Sequence, residues 1–208
     1  MSKSQAMPFV ILASGTGTNA RVLLKYAKEH SDLLQAVALI SDRAEAPALE
    51  IAKEFGVRTY VVSHKNETAL LALLQKLQPE WACLAGYMRV VGKNFLDFFW
   101  SKELGFSRVM NVHPSLLPAF PGLHAYEQAF RAGVKVAGVT VHLVDSGVDT
   151  GKPILQEIFF RGETDNLRKF EQKGRHIEYK LFPKALKLAA LGKISLRKKD
   201  DSEFVSLE

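Results

Sequence analysis

The sequence predicts an α/β protein built on a mostly parallel, twisted β-sheet with helices on both faces. Short runs of consecutive apolar residues alternate along the chain with amphipathic stretches of helical period. Apolar strands of this kind are typical of parallel sheets that are covered on both faces. The length of 208 residues, with 47% hydrophobic and 24% charged residues, fits one domain with a full core. We therefore expect a Rossmann-like architecture.

In the first half of the chain, four strands alternate with three helices. The strands are predicted over residues 9–13, 36–40, 59–62 and 81–85, and the helices over residues 20–29, 47–55 and 67–77. Pro47 lies in the first turn of the second helix, where no N–H is missed, and Gly56 follows the end of that helix. Pro79 stops the third helix. This alternation indicates consecutive strand–helix units of a parallel sheet.

The second half of the chain adds three strands and one long helix. The strands are predicted near residues 109–112, 139–144 and 154–160, and the helix over residues 166–191. No internal repeat, low-complexity segment or linker interrupts the pattern, so we expect residues 1–192 to form one domain. Residues 193–208 remain as a C-terminal tail, which either forms a small edge hairpin or stays loose.

The cysteine and charge content limit the classes of function. Cys83 is the single cysteine and lies in an apolar run, so it is predicted to be a small buried hydrophobe rather than a disulfide or metal ligand. The net charge of +6 suits anionic partners such as phosphates, polycarboxylates or nucleic acid. The one basic cluster, residues 197–199, is followed at once by Asp200 and Asp201 and carries no interleaved aromatic residues, so we expect no nucleic-acid partner.

Neither a signal peptide nor a membrane span is expected. The first apolar run, residues 9–13, is far too short for either. We therefore predict a cytoplasmic protein without a membrane partner. The sequence is equally compatible with a monomer and with a weak homodimer.

A glycine-containing loop follows the first predicted strand and opens a helix. Gly15 and Gly17 allow the backbone to turn and to approach a ligand, and the helix N-terminus offers free N–H groups to an anion. The loop therefore predicts a phosphate site. Together with Ala20 it also has the spacing of a dinucleotide fingerprint, and Asp42 lies about where the partner acid belongs. A nicotinamide-dependent oxidoreductase and a ligand-free turn both remain open at this point.

A second candidate site follows the strand near residue 109. Asn111 and His113 are two residues apart, so in extended chain their side chains point to the same side. Pro114 favours the extended form at His113. An amide donor and a titratable imidazole are thus held side by side at a strand end. A histidine that merely satisfies backbone groups is the alternative.

A third candidate is the turn at residues 145–151, which combines Asp145 and Asp149 with glycines. Plain turn chemistry explains this composition equally well. No zinc-like spacing of histidines and acids occurs, so we expect no catalytic metal. His142 alternates with apolar neighbours on a strand and is predicted to be structural. Ser115 lacks the context of a hydrolase nucleophile.

Five motifs together carry a resemblance to a known family. They are SGTGTN at residues 14–19, LAGYMR at residues 84–89, NVHPSLLP at residues 111–118, PGLH at residues 121–124 and GVDTG at residues 147–151. In this order they resemble the phosphoribosylglycinamide formyltransferases, folate-dependent one-carbon transferases of purine synthesis, over residues 9–191. The NVHPSLLP segment is shared by folate formyltransferases in general. Methionyl-tRNA formyltransferases usually carry an extra C-terminal domain, and formyltetrahydrofolate deformylases usually carry an extra N-terminal one.

The resemblance implies a formyltransferase fold and a role for each matching residue. The catalytic centre would consist of Asn111, His113 and Asp149. Glycinamide ribonucleotide would be held at its phosphate by Gly17, Thr18 and Asn19, and at its glycinamide by Glu178. The folate site would be lined by Met88, Arg89, Val90, Val91, Asn111, Asp145 and Asp149. The formyl donor would be 10-formyltetrahydrofolate, used as a co-substrate without metal or nicotinamide.

Several positions depart from the pattern of the family. Asn66 lies near the usual place of a basic phosphate contact, and its neighbour Lys65 is the candidate substitute. The pair Lys152-Pro153 replaces a more usual proline-aliphatic pair, and Tyr179 stands where histidine is frequent. The segment between residues 89 and 111 is several residues longer than usual. Another folate-dependent formyltransferase or deformylase, and a binding protein without turnover, therefore remain as alternatives.

Overall fold

A computed structural model describes residues 6–200 and 202–207; residues 1–5, 201 and 208, which the predicted domain and tail include, lie outside the described part. The strands are β1 (Met7–Leu12), β2 (Leu34–Ser41), β3 (Thr59–Val61), β4 (Trp81–Leu84), β5 (Trp100–Ser101), β6 (Phe106–Ser107), β7 (Val109–His113), β8 (Val136–Leu143), β9 (Pro153–Phe160), β10 (Ile194–Lys199) and β11 (Ser202–Leu207). The helices are α1 (Thr18–Glu29), α2 (Pro47–Glu54), α3 (Glu67–Leu77), α4 (Lys93–Phe98), α5 (Ala125–Arg131) and α6 (Leu167–Ala190).

The central sheet contains seven strands in the order β3-β2-β1-β4-β7-β8-β9. The first five run parallel to one another. β8 is antiparallel to β7, and β9 is antiparallel to β8, so only β8 runs against the rest. The prediction of a mostly parallel sheet with a long C-terminal helix is confirmed. The reversal at β8 was not predicted, because a local pattern does not show strand direction.

Helices cover both faces of the sheet because alternate residues of each strand face opposite sides. On β1, Phe9 and Ile11 pack into the larger core with α1, α2, α5 and α6. Val10 and Leu12 pack into a second core with α3 and α4. Cys83 is fully buried in the larger core, as predicted for a small hydrophobe.

The helix boundaries follow the local signals in the sequence. Pro47 occupies the start of α2, where a proline costs no hydrogen bond. The Asn66 side chain accepts a hydrogen bond from the N–H of Ala69 and caps α3. Asn166 caps α6 in the same way through the N–H of Lys169. The predicted helices therefore end within a few residues of the observed ones.

The longer segment between residues 89 and 111 forms structure of its own. It contains α4 and the short antiparallel pair of β5 and β6. Of the two alternatives predicted for the tail, the structure has the hairpin, in which β10 is antiparallel to β11. Ile194 of this hairpin is buried in the larger core, and Glu203 lies 3.2 Å from the ammonium of Lys152. Across the described ranges, no helix combines the length and the apolar character needed to cross a membrane.

Candidate active site around Asp149

The strand pairing of β7 with β8 brings the central residues of the site together. Asn111 and His113 belong to the last part of β7. His142 pairs with Asn111 across the antiparallel register, although the two residues are 31 positions apart in sequence. The connection from β8 to β9 carries Asp149. The predicted pair of Asn111 and His113 thus gains two partners from the neighbouring strand and its loop.

Four polar groups contact the carboxylate of Asp149. Oδ2 lies 3.2 Å from Nδ1 of His113 and accepts a 2.8 Å hydrogen bond from the N–H of Gly122. Oδ1 lies 3.5 Å from Nε2 of His142 and accepts from the amide nitrogen of Asn111 at 3.4 Å. The side chain of Asp149 is only 13% exposed. A partly desolvated carboxylate is thus contacted by nitrogen groups from three parts of the chain: β7, the loop after β7 and β8.

These neighbours set the protonation of Asp149. Burial by itself would raise the pKa of Asp149, but it is outweighed by the hydrogen bonds from His142 and from Gly122 and by the charge of His113. The pKa of Asp149 therefore lies below the ordinary value for aspartate. The group is a carboxylate at neutral pH, so it can accept a proton or stabilise a positive charge.

The imidazole of His113 faces an acceptor on each side. Its Nε2 lies 2.8 Å from the carbonyl oxygen of Phe120, and its Nδ1 faces Asp149. A carbonyl and a carboxylate both only accept hydrogen bonds. The nearly buried His113 ring thus lies between a carbonyl oxygen and a carboxylate, two groups that attract positive charge.

His142 contacts both Asn111 and Asp149, and the expectation that it is structural stays a prediction. Its Nδ1 lies 2.8 Å from the carbonyl oxygen of Leu143, and its Nε2 lies 3.2 Å from the amide nitrogen of Asn111. The carbonyl oxygen of Leu143 only accepts hydrogen bonds, so Nδ1 carries the proton that it shares with Leu143, and Nε2 lies between the Asn111 amide and the Asp149 carboxylate. The contacts of His142 were hard to predict from the sequence, since a histidine among apolar strand residues is buried whether or not it contacts the site.

The loop after β1 has the geometry of a close backbone approach. Gly17 has a φ of +76°, and a Cβ there would lie 2.7 Å from Cα of Ala48. Only glycine fits this position. The loop leads directly into α1, whose first residue is the exposed Thr18. The N-terminal N–H groups of α1 are therefore positioned to bind an anion.

The side chains of Asn19 and Glu178 contact each other. The Asn19 amide nitrogen donates to Oε2 of Glu178 at 2.6 Å, and the hydroxyl of Tyr126 donates to Oε1 at 2.5 Å. Glu178 is only 8% exposed. Two residues that were predicted to bind opposite ends of one substrate thus lie in direct contact. Tyr126 was not predicted to take part.

The residues predicted to line a folate site fall into three groups. Met88 and Val90 are exposed by 61% and 69% and are free to contact a ligand. Val91 is buried in the second core, so its side chain does not line the surface. Asp145 is exposed, and it accepts hydrogen bonds from the N–H of Gly147 and from the hydroxyl of Thr150, which stabilises the loop that carries Asp149.

The guanidinium of Arg89 contacts the acid of the alternative dinucleotide site. Arg89 Nε donates to Oδ2 of Asp42 at 2.7 Å, and the Asp42 side chain is only 1% exposed. A buried, ion-paired carboxylate is not available to ribose hydroxyls as a nicotinamide site requires. Asn66 is the cap of α3, and Lys65 is exposed beside it. Within residues 6–200 and 202–207, no group of three or more histidine, cysteine or acidic side chains is arranged to hold a metal ion.

The fold and the site define a formyl transferase. The family model described as formyl transferase matches residues 7–186, and the chain belongs to this family. A phosphoribosylglycinamide formyltransferase of Bacillus subtilis is 39% identical over 186 residues, which cover 86% of this chain and 92% of that protein. The chain is also 37% identical to part of the trifunctional purine biosynthetic protein adenosine-3 of Bos taurus, with 89% of this chain and 18% of that protein covered.

Solved structures agree with this assignment. The glycinamide ribonucleotide transformylase 1 of Symbiobacterium toebii superposes with a TM-score of 0.87 at 36% identity, over 98% of this chain and 95% of that one. The phosphoribosylglycinamide formyltransferase of Bacillus halodurans superposes with a TM-score of 0.79 at 38% identity, over 86% and 93%. Within the formyl transferase family, the chain belongs with the phosphoribosylglycinamide formyltransferases.

Proposed function

We propose that this enzyme transfers the formyl group of 10-formyltetrahydrofolate to the amine of glycinamide ribonucleotide, a step of purine synthesis. The observation that carries the proposal is the convergence of His113 and Asn111 on the carboxylate of Asp149, with contacts of 3.2 and 3.4 Å. The names of the relatives support the choice of substrates. Both proposed substrates are small molecules, so the reaction needs no nucleic-acid or membrane partner.

The reaction requires that an oxyanion be stabilised and that a proton be transferred. The substrate amine attacks the formyl carbon, and a tetrahedral intermediate with a negative oxygen forms. The bond from that carbon to the folate nitrogen then breaks, and the proton lost by the amine reaches the departing nitrogen. Preorganised donors at such an oxygen typically contribute about a hundredfold or more in rate. Acid–base assistance contributes about a hundred- to ten-thousandfold.

Each central residue has a role that its surroundings support. The His113 imidazolium and the Asn111 amide are the donors for the oxyanion. The side-chain nitrogens of His113 and Asn111 face Phe120, His142 and Asp149, and we propose that the substrate oxygen replaces one of these contacts. Asp149 keeps the His113 ring charged and accepts the proton of the attacking amine. The lowered pKa of Asp149 ensures that its carboxylate is available.

The two substrates bind on opposite sides of this centre. Gly17, Thr18 and the backbone of Asn19 hold the ribose phosphate at the start of α1, while Glu178 holds the glycinamide part. The folate ring fits the exposed apolar surface of Met88 and Val90 together with the loop of Asp145. Residues 1–192 form the catalytic domain, with phosphate binding in its first half and folate binding and catalysis in its second half.

A direct turnover assay tests the proposal. Purified protein is mixed with glycinamide ribonucleotide and 10-formyltetrahydrofolate, and the absorbance of the folate is followed as it loses the formyl group. We expect transfer that needs the amine substrate and disappears in His113→Ala. Loss of the formyl group without the amine would instead identify a deformylase. Protein that is folded and inactive with both substrates would show that the proposed reaction is wrong.

A further inference from the structure

A buried chain of hydrogen bonds joins three parts of the fold near the proposed substrate site. The hydroxyl of Tyr126, on α5, donates to one oxygen of Glu178, on α6. The Asn19 amide, at the start of α1, donates to the other oxygen. Tyr126 and Glu178 are both buried, and each of the two hydrogen bonds is short. Short contacts to a carboxylate are typical of strong, charge-assisted hydrogen bonds.

The chemistry of the carboxylate fixes the orientation of the Asn19 amide. An ionised carboxylate only accepts hydrogen bonds, so Asn19 presents its NH₂ group to Glu178 and turns its carbonyl oxygen away. That oxygen, Oδ1 of Asn19, is buried and has no hydrogen-bond partner in the described part of the chain. A buried acceptor without a donor is unfavourable, so it is a place where a donor on a ligand is recognised.

The packing of Tyr126 holds its hydroxyl in this chain. Gly174 of α6 lies under the ring, and a Cβ there would lie 2.2 Å from the Tyr126 oxygen. The ring also packs edge-on against Phe170. Burial, and the charge of Glu178, raise the pKa of Tyr126 far above its ordinary value, so the hydroxyl keeps its proton and remains a donor.

The same short segment reaches the catalytic carboxylate. Gly122, whose N–H donates to Asp149, is only four residues before Tyr126. One side of this segment therefore contacts Asp149, and the other side contacts Glu178 through α5.

We propose that Tyr126 is a positioning residue that selects the amine substrate. Its hydroxyl holds Glu178, and Glu178 holds the Asn19 amide with the carbonyl oxygen turned away from the carboxylate. That unpartnered oxygen accepts a hydrogen bond from a hydroxyl or amine of the ribosyl amine. The Asn19 side chain is then an acceptor for the sugar or the glycinamide, and the phosphate is left to backbone N–H groups. This inference rests on the proposed formyl transfer to glycinamide ribonucleotide.

The test is Tyr126→Phe, which keeps the ring and removes one hydroxyl. The KM for glycinamide ribonucleotide is expected to rise about tenfold or more, as for loss of a hydrogen bond to a charged group. The kcat and the KM for the folate are expected to stay within about twofold, since the contacts of Asp149 are unchanged. Tyr60→Phe is the matched control, because Tyr60 lies on β3 and takes no part in the hydrogen bonds of Tyr126, Glu178 and Asn19. It is expected to leave all three constants unchanged.

A second readout separates positioning from packing and does not need turnover. Hydrogen exchange of the Asn19 side-chain NH₂, followed by NMR, is expected to be at least several-fold faster in Tyr126→Phe than in Tyr60→Phe. Unchanged exchange together with an unchanged KM would overturn the proposal, whatever the effect on thermal unfolding. If the wild-type enzyme transfers no formyl group, the proposed function fails, and the exchange experiment still decides the role of Tyr126.

Discussion

Asp149 lies 3.2 Å from Nδ1 of His113, and this contact joins a loop residue to the end of β7 across 36 positions of sequence. The pair places a carboxylate against an imidazole whose other nitrogen already faces a carbonyl oxygen. A charged ring and a charged carboxylate stabilise each other in this partly buried setting.

Asp149→Asn is expected to keep the fold and to lose activity. The amide cannot accept the proton of the amine or balance the charge of His113. We expect kcat to fall by about a hundred- to ten-thousandfold. Steady-state kinetics checks kcat, and far-UV circular dichroism checks the fold. A folded variant with wild-type turnover would exclude a catalytic role for Asp149.

The same substitution changes how stability depends on pH. Because the pKa of Asp149 is lowered in the folded state, its contribution to stability is complete above the pKa of an unfolded aspartate, about 3.9. It is lost as the pH falls through the lower folded pKa. The difference in unfolding free energy between the wild type and Asp149→Asn should therefore shrink as the pH falls below about 4. Urea denaturation at several pH values measures it, and a constant difference would contradict the lowered pKa.

His142→Ala is expected to reduce turnover although the residue is on a strand. The change removes one of the two contacts of the Asn111 amide, which keeps only Asp149, and the pKa of Asp149 rises toward its ordinary value because a hydrogen-bond partner is lost. We expect kcat to fall about tenfold. His176→Ala, an exposed residue of α6, is the control and keeps wild-type kcat. Equal kcat in both variants would show that His142 is structural.

Gly17→Ala is expected to destabilise the protein more than Gly15→Ala. At Gly17 the backbone is left-handed and a Cβ would clash with the backbone of Ala48. At Gly15 a Cβ meets nothing within 4 Å. The strained position costs about 1–3 kcal/mol. Thermal unfolding of both variants checks the difference, and similar melting temperatures would show that the loop accommodates the methyl group.

Val90→Asp is expected to weaken folate binding selectively. Val90 is 69% exposed beside the proposed folate surface, so a charge there disfavours an apolar ring without disturbing the core. We expect the KM for the folate to rise about fivefold or more and the KM for the amine to stay unchanged. Val61→Asp, at a valine that is 52% exposed on β3, is the matched control. An unchanged folate KM in Val90→Asp would place the folate elsewhere.

The sequence by itself determined the order of the elements and the local motifs. Apolar periodicity, Pro47 and the capping of α3 depend only on neighbours within a few residues, so strands and helices were predictable with small errors. The same is true of the glycine loop after β1 and of the side-by-side placement of Asn111 and His113. The resemblance to formyltransferases depended on the same short motifs.

Only the tertiary structure decided which of these residues meet. Asn19 and Glu178 are 159 positions apart, and Asn111 and His142 are 31 positions apart, so no local pattern connects them. Their contacts depend on the packing of α6 against α1 and on the reversal of β8. The same packing placed Tyr126 against Glu178 and removed Asp42 from solvent by pairing it with Arg89. Side-chain contacts of this kind arise from the packing of whole elements, and that packing is a property of the complete fold rather than of any segment.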